Sequence, residues 1–254
     1  MHTIRIIGPG RAGTSLAAAL SGHGWDVVGF LGRRDDLSDA ARGVDVLIIA
    51  TPDDAIAAVA AAVTPNPDTT VVHLSGSLGL DALAPHPLRA GLHPLVPLPN
   101  ASVGAARLTG GVTFAVAGAP AARLMVESLG GRVVEVADAD RAAYHAAACI
   151  AANHVVALLG QVERVAASAG LDLEAFLPLT RAAVDDVAAL GPRQALTGPA
   201  RRGDWATLSR HLDALPAQER AGYQAGAALA TRLAESAAPA VPTAPTAPTV
   251  PVVA

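Results

Sequence analysis

Gly8-Pro9-Gly10-Arg11-Ala12-Gly13 follows the apolar run Thr3-Ile4-Arg5-Ile6-Ile7 and precedes Thr14-Ser15-Leu16-Ala17-Ala18-Ala19-Leu20. The glycines keep G-x-G-x-x-G spacing between a strand signal and a helix signal, the setting in which this motif binds a dinucleotide. Each glycine has a task. Gly8 makes the tight turn, Gly10 lets the backbone approach a pyrophosphate, and Gly13 lets helix and strand pack closely. Pro9, Arg11 and Ala12 complete the loop, and the helix N-terminus offers free N–H groups and partial positive charge to phosphates.

Asp26-Val27-Val28-Gly29-Phe30-Leu31 reads as the second strand, and Arg33-Arg34 stand just past its end, Arg33 being twenty residues after Gly13. An acidic residue at this distance takes the ribose hydroxyls of NAD, whereas Arg accommodates the 2′-phosphate of NADP. The planar guanidinium fork suits a phosphate. The expected cofactor is therefore NADP(H), with Asp35 and Asp36 as the features that would argue for NAD.

The 254 residues suffice for two domains, and with 52% of them apolar there is material for sizeable cores. A net charge of -4 gives no support to nucleic acid or an acidic membrane surface as partner. The single cysteine excludes an intrachain disulfide and suits a reducing compartment. A first strand from residue 3 leaves no room for a signal peptide, and no uninterrupted apolar stretch reaches membrane-spanning length. A cytoplasmic protein without membrane contact is expected. All 18 basic side chains are Arg, so Schiff-base and pyridoxal-phosphate chemistry through lysine are excluded. Any general acid must be His, Tyr, Cys, Asp, Glu or water.

Strand and helix signals alternate through the first half, as in a doubly wound parallel α/β sheet. Further strands are expected at Val44–Ala50, Thr70–Leu74, Gly91–Leu95, Gly111–Val116 and Arg132–Val136, with helices at 55–63 and 119–129. From Asp138 to Ala169 the Ala-rich pattern is helical, and helices follow at 172–190, 205–215 and 217–236. This predicts a cofactor-binding domain over 1–137, a smaller all-helical domain over 138–236, and a disordered Ala/Pro/Thr tail over 237–254. So long and apolar a helix is hard to cover with three others, so a homodimer through the helical domain is expected.

Ligands bind beyond the C-terminal ends of parallel strands. Besides the glycine loop and Arg33-Arg34, the residues there are Ala50-Thr51-Pro52-Asp53, Ser75-Gly76 and His93-Pro94. Thr51-Pro52 would lie near the middle of the dinucleotide and Ser75-Gly76 near its nicotinamide end. His73, His86 and His93 lack metal-ligand spacing, so no metal is expected. On the long helix, His145, Cys149 and Asn153 fall within about 80° of one another at 3.6 residues per turn and form one polar stripe. His154 points elsewhere. In Leu196-Thr197-Gly198-Pro199-Ala200-Arg201-Arg202-Gly203-Asp204, Asp204 can cap the helix beginning at Trp205.

The motifs G-x-G-R-x-G, A-T-P-D, S-G, G-L-H-P, Y-H-A-A-A, A-x-N-H and L-T-G-P-x-x-R-G-D run in order over residues 3 to about 236. Together they resemble the Rossmann-like proteins whose helical half is the domain of unknown function DUF2520. These are similar in plan to pyrroline-5-carboxylate reductase and the 6-phosphogluconate-dehydrogenase-like group, and some members are implicated as ketopantoate reductases. The resemblance implies NADP(H)-dependent hydride transfer in an interdomain cleft to a small 2-oxo acid, ketopantoate being the named candidate. An imine substrate of the pyrroline-5-carboxylate type is the alternative, and a non-catalytic NADP(H)-binding regulator the second. Related β-hydroxyacid dehydrogenases carry K-x-x-x-N on the long helix; here Cys149 stands in the Lys position and Asn153 in the Asn position. The lysine's proton must come from another group, with His145 or His93 as candidates and Asn153 orienting the carbonyl.

Overall fold

A computed structural model describes residues 2–236. The expected tail, 237–254, lies outside the described residues. Seven strands form one sheet in the order β2-β1-β3-β4-β5-β6-β7: β1 (His2–Ile7), β2 (Trp25–Leu31), β3 (Val46–Ile49), β4 (Thr70–His73), β5 (Arg89–Pro94), β6 (Thr113–Gly118) and β7 (Arg132–Glu135). The helices among them are α1 (Arg11–Ser21), α2 (Asp53–Ala62), α3 (Ala101–Leu108) and α4 (Ala121–Ser128).

Alternation along the strands divides the core into two faces, as pleating requires. Ile4, Ile6, Val46, Ile48 and Val72 point to the side covered by Leu16 and Leu20 of α1, Leu108 of α3 and Met125 and Val126 of α4. Ile7, Leu47, Ile49 and Val71 point to the side covered by Ile56 and Ala60 of α2 and by Leu83. Helices on both faces of a mostly parallel sheet make the fold doubly wound and Rossmann-like.

One pairing departs from the all-parallel expectation: β6 runs antiparallel to β5, with Leu92 opposite Val116. The reason lies in the connection. The chain leaves the C-terminal end of β5, passes through α3, and re-enters the sheet from that same end, so β6 must run back. Helix α3 carried no sequence expectation. It is capped by the Asn100 side chain, which accepts from Val103 N at 3.0 Å, and it packs on α1, where Gly104 lies against the Ser15 side chain.

The long helix is not uniform. It consists of α5 (Arg141–Cys149), a π-helical turn (Ile150–His154) and α6 (Val155–Ser168). A π turn bonds i to i+5 and so takes up an extra residue. The 3.6-residue spacing that joined His145, Cys149 and Asn153 therefore ends at Cys149. The run Asp138–Ser168 also corrects an expectation: it has 31 residues and contains an 18-residue stretch of mean hydropathy 1.5, long and apolar enough by length and composition to cross a membrane.

Contacts divide the chain into two compact units after His154, seventeen residues beyond the division drawn from composition. Residues 138–154 join the first unit because their polar groups bond into the sheet region: Asp138 Oδ2 accepts from Leu80 N at 2.9 Å and Tyr144 bonds His93. The second unit contains α6, α7 (Leu177–Leu190), α8 (Pro192–Ala195), α9 (Gly198–Arg202), α10 (Trp205–Ala214) and α11 (Ala217–Glu235). Asp204 caps α10, accepting from Thr207 N at 3.1 Å. Glu219, 4% exposed, holds α11 to α6 through Arg164 Nε at 2.6 Å, and its carbonyl accepts from Gln161 Nε2 at 2.8 Å. Few residues here are buried, and Val156, Leu158, Leu179, Val184, Leu190 and Leu229 are each more than half exposed.

Two predictions follow from packing around the strand ends. A Cβ on Gly13 would strike the carbonyl oxygen of Gly8 and approach Ala50 Cβ at 3.1 Å. Gly13→Ala should cost about 1–3 kcal/mol of unfolding free energy in chemical denaturation. His73 is fully enclosed and neither ring nitrogen has a hydrogen-bond partner; burial, and next the Arg141 guanidinium, push its pKa down to about 4. The unfolded chain then binds more protons than the folded one between the two pKa values. Stability from this group should be complete above about pH 6.5 and fall by about 2 kcal/mol on going to pH 5. Urea titrations at the two pH values check this, and His73→Leu should remove about that share of the difference, leaving the part that His93 contributes.

Candidate active site

The glycine loop has the geometry its spacing implies. Gly8 takes φ +101°, open only to glycine at low cost, and a Cβ there would meet Ala50 O at 2.7 Å. Gly8 N donates to Leu31 O at 2.9 Å and Ala50 N to Ile7 O at 2.8 Å, so the loop is fixed between β2 and β3. Gly10 is different, because a Cβ on it would meet nothing within 4 Å. It forms an exposed edge at the start of α1, whose first N–H groups receive no side-chain cap. Thr51 Oγ1 is buried beside this loop without a hydrogen-bond partner, which in a folded protein calls for a ligand or water.

Arg33 and Arg34 are exposed, as is Arg11. None of the three forms an ion pair among the described residues. The acidic neighbours that argued for NAD are otherwise engaged. Asp35 Oδ2 accepts from Gly32 N at 2.6 Å, and Asp36 Oδ1 accepts from Ser38 N at 2.9 Å. Their carboxylates shape the turn that presents the two guanidinium groups. A helix N-terminus without a cap, an open glycine edge, an unpaired arginine pair and an orphaned hydroxyl fit a dinucleotide bearing an extra phosphate.

A second cluster lies where β4 and β5 end. Ser75 Oγ donates to Asp53 Oδ2 at 2.7 Å and accepts from Ser77 N and Leu78 N at 3.1 Å each, while Ser77 Oγ donates to the same carboxylate oxygen at 2.8 Å. The Ser75 hydroxyl thus locks its own loop. Gly76 leaves space for two imidazoles: a Cβ there would meet His145 Cδ2 at 2.6 Å and His93 Cε1 at 2.9 Å. The two rings stand edge to face with centroids 5.8 Å apart. His93 Nδ1 lies 2.6 Å from the Tyr144 hydroxyl, and His145 Nε2 lies 3.9 Å from Cys149 Sγ.

Arg141 holds the helix in this place. It is 1% exposed, donates from Nη1 to Ser75 O at 3.4 Å, and pairs through Nε with Asp138 at 3.3 Å, while Nη2 has no partner. A Cβ on Gly91 would meet that Nη2 at 2.6 Å, so β5 is bare where the guanidinium crosses it. Desolvation, then His145 and Arg141, push His93 down to about 4, with Asp53 opposing and His73 adding to the shift. Burial pushes Tyr144 up to about 12.

The sequence-expected residues therefore fall into two groups. Gly8 to Gly13, Ala50 and Thr51 surround one loop, and Ser75, Gly76, His93 and His145 surround another. Pro52 is exposed at the start of α2. Asn153 is exposed within the π turn and has no hydrogen bond among the described residues. Asp53 was placed at a strand end from the sequence without a role, and Arg141 and Tyr144 were missed as site residues. A lone charged residue opening an apolar helix, three residues after an aspartate, was the available signal for Arg141.

No characterised protein sequence matches the chain. Among solved structures, a Bacteroides fragilis protein provisionally described as an NADP oxidoreductase aligns with TM-score 0.74 and 19% identity, over 92% of this chain and 98% of its own. Pyrroline carboxylate reductase of Plasmodium falciparum, solved with NADP bound, aligns with TM-score 0.59 and 12% identity, over 92% and 98% of the two chains. A reductive aminase from Aspergillus terreus, in complex with NADPH and ethyl levulinate, aligns with TM-score 0.66 and 15% identity, over 91% and 94%. At these identities the likeness establishes the shared fold over nearly the whole length. Residues 111–230 match the family model described as Domain of unknown function (DUF2520), from just before β6 through most of α11.

Proposed function

We propose that the protein is an NADP(H)-dependent oxidoreductase that reduces the C=O or C=N group of a small molecule. The observation that carries this reading is the uncapped α1 N-terminus at the open Gly10 edge, with Arg33 and Arg34 unpaired beside it. Gly8, Pro9, Gly10, Arg11, Ala12 and Gly13 would hold the pyrophosphate, Arg33 and Arg34 the 2′-phosphate, and Ala50, Thr51 and Pro52 the bridge. Ser75 and Gly76 would border the nicotinamide. When bound, such a cofactor supplies a hydride. The chain's own part is to position the acceptor and provide a proton, for which His93 and His145 meet at Gly76 and Asn153 is the candidate orienting group.

For the substrate, a small 2-oxo acid is the leading class, with ketopantoate as the named candidate. Imine reduction is favoured by a separate observation. The chain has no lysine to serve as the acid of a carbonyl reductase, and the folds it matches include pyrroline carboxylate reductase and reductive aminase. An iminium arrives already carrying its proton.

The second unit supports a homodimer. Its exposed Val156, Leu179, Val184 and Leu229 form more apolar surface than a helical unit of this size leaves to water. A second copy of the same chain would cover those faces, giving a dimer by light scattering at micromolar concentration; a monomer there removes this proposal. Cytoplasmic residence fits the single, unpaired cysteine.

The decisive assay is consumption of NADPH, with NADH in parallel, against ketopantoate, other 2-oxo acids and pyrroline-5-carboxylate. Tight NADPH binding without turnover on any of them would identify a regulator instead. Replacing Arg33 and Arg34 together with Ala should weaken NADPH binding roughly 10- to 100-fold and leave NADH nearly unchanged, as loss of charge-assisted phosphate bonds requires. His145→Ala or Asn153→Ala should lower kcat while NADPH affinity holds; normal turnover in both would remove those roles.

A further inference from the structure

Tyr144 stands outside every role assigned above. Its ring meets that of His93 edge to face, at 90° and 5.7 Å between centroids, with the hydroxyl 2.6 Å from Nδ1. Either group can donate across this contact, and we take the phenol as donor because its O–H is the more acidic of the two. The ring proton of His93 then sits on Nε2, which has no partner among the described residues and is not sealed off from solvent. His93 therefore has one nitrogen tied to Tyr144 and the other open, beside the bare backbone of Gly76.

We propose that Tyr144 and His93 form a proton relay, in which His93 Nε2–H protonates the oxygen of a carbonyl being reduced and Tyr144 restores the proton at Nδ1. The proposal rests on the reductase reading. The Nε2–H bond breaks as the substrate O–H bond forms, and the Tyr144 O–H bond breaks as Nδ1–H forms. The imidazole ends neutral in its other tautomer. The negative charge of the reduced oxygen ends on the phenol oxygen, and a solvent proton then regenerates the phenol. An alkoxide is far more basic than a tyrosinate, so the transfer runs downhill even for a phenol pushed up to about 12.

Two features suit His93 to relay rather than to donate as an imidazolium. With its pKa near 4, the cationic ring is present in roughly one molecule in a thousand at pH 7. The charged and titratable groups around it are Asp53, His73, Arg141, His145 and Tyr144, and the balance of burial with Arg141 and His145 keeps the ring neutral. Arg141 acts again at the end of the relay, because its charge favours the tyrosinate form of Tyr144. Tyr144 acts through His93 and is a positioning and proton-supplying residue, while His93 is the catalytic one.

Tyr144→Phe keeps the ring and deletes the hydroxyl. With a carbonyl substrate the unmodified enzyme should show a kcat that is flat between about pH 5.5 and 8. The variant should lose roughly 10- to 100-fold at neutral pH and regain rate toward acid, where protonated His93 replaces the relay. NADPH affinity should hold. Equal kcat and an unchanged pH profile in the variant would overturn the relay while leaving the reductase reading intact. An unmodified protein that turns over none of the substrates overturns the reductase reading separately. Nitrogen-15 NMR of the imidazoles needs neither turnover nor the variant. It should find His93 protonated at Nε2 and accepting at Nδ1, and an Nδ1-protonated tautomer would overturn the relay on its own.

Discussion

The contact on which the candidate catalytic cluster depends is the burial of the Arg141 guanidinium against the end of β5. A cation that is 1% exposed must find oxygen atoms, and it finds the carbonyl of Ser75 and the carboxylate of Asp138. These bonds fix the first turn of the long helix over the strand ends. Tyr144 and His145, three and four residues further on, are thereby delivered to His93. Gly91 and Gly76 are the complementary half of this contact: one leaves room for the guanidinium, the other for the two imidazoles.

Burial comes first in the electrostatics, and the same cation adds to it. Three titratable rings, His73, His93 and His145, lie within its neighbourhood, and both resolved histidine shifts are downward. A strand end crowded with neutral imidazoles and a phenol is a different acid–base environment from one built on a lysine ammonium. It offers weak acids linked by hydrogen bonds instead of one charged donor. The glycine loop is tied to β2 and β3 by backbone bonds, so the residues proposed for phosphate recognition and those proposed for proton supply are different ones.

Much of this was legible from the sequence where local rules act. The G-x-G-x-x-G spacing carries its own geometry, since only a residue without Cβ fits against Ala50 O at Gly8. Asp204 before Trp205 capped its helix as side-chain chemistry at an N-terminus requires. Errors arose where a distant contact overrides a local period. The stripe of His145, Cys149 and Asn153 assumed an unbroken 3.6-residue helix, and the π turn at Ile150–His154 ended it. The antiparallel β6 depends on which end of the sheet its connection returns to, and that follows from α3 packing on α1, not from any residue in β6.

The sequence by itself determined the strand–glycine–helix unit, the arginine pair after β2 and the absence of lysine, because each is a property of residue type at a short, fixed spacing. Local turn chemistry engages Asp35 and Asp36 with the backbone amides of Gly32 and Ser38. The tertiary structure alone decided that Tyr144 bonds His93 and that Ser75 spends its hydroxyl on Asp53. Those partners lie far apart along the chain or compete for one another, and only a packed core selects which pair forms.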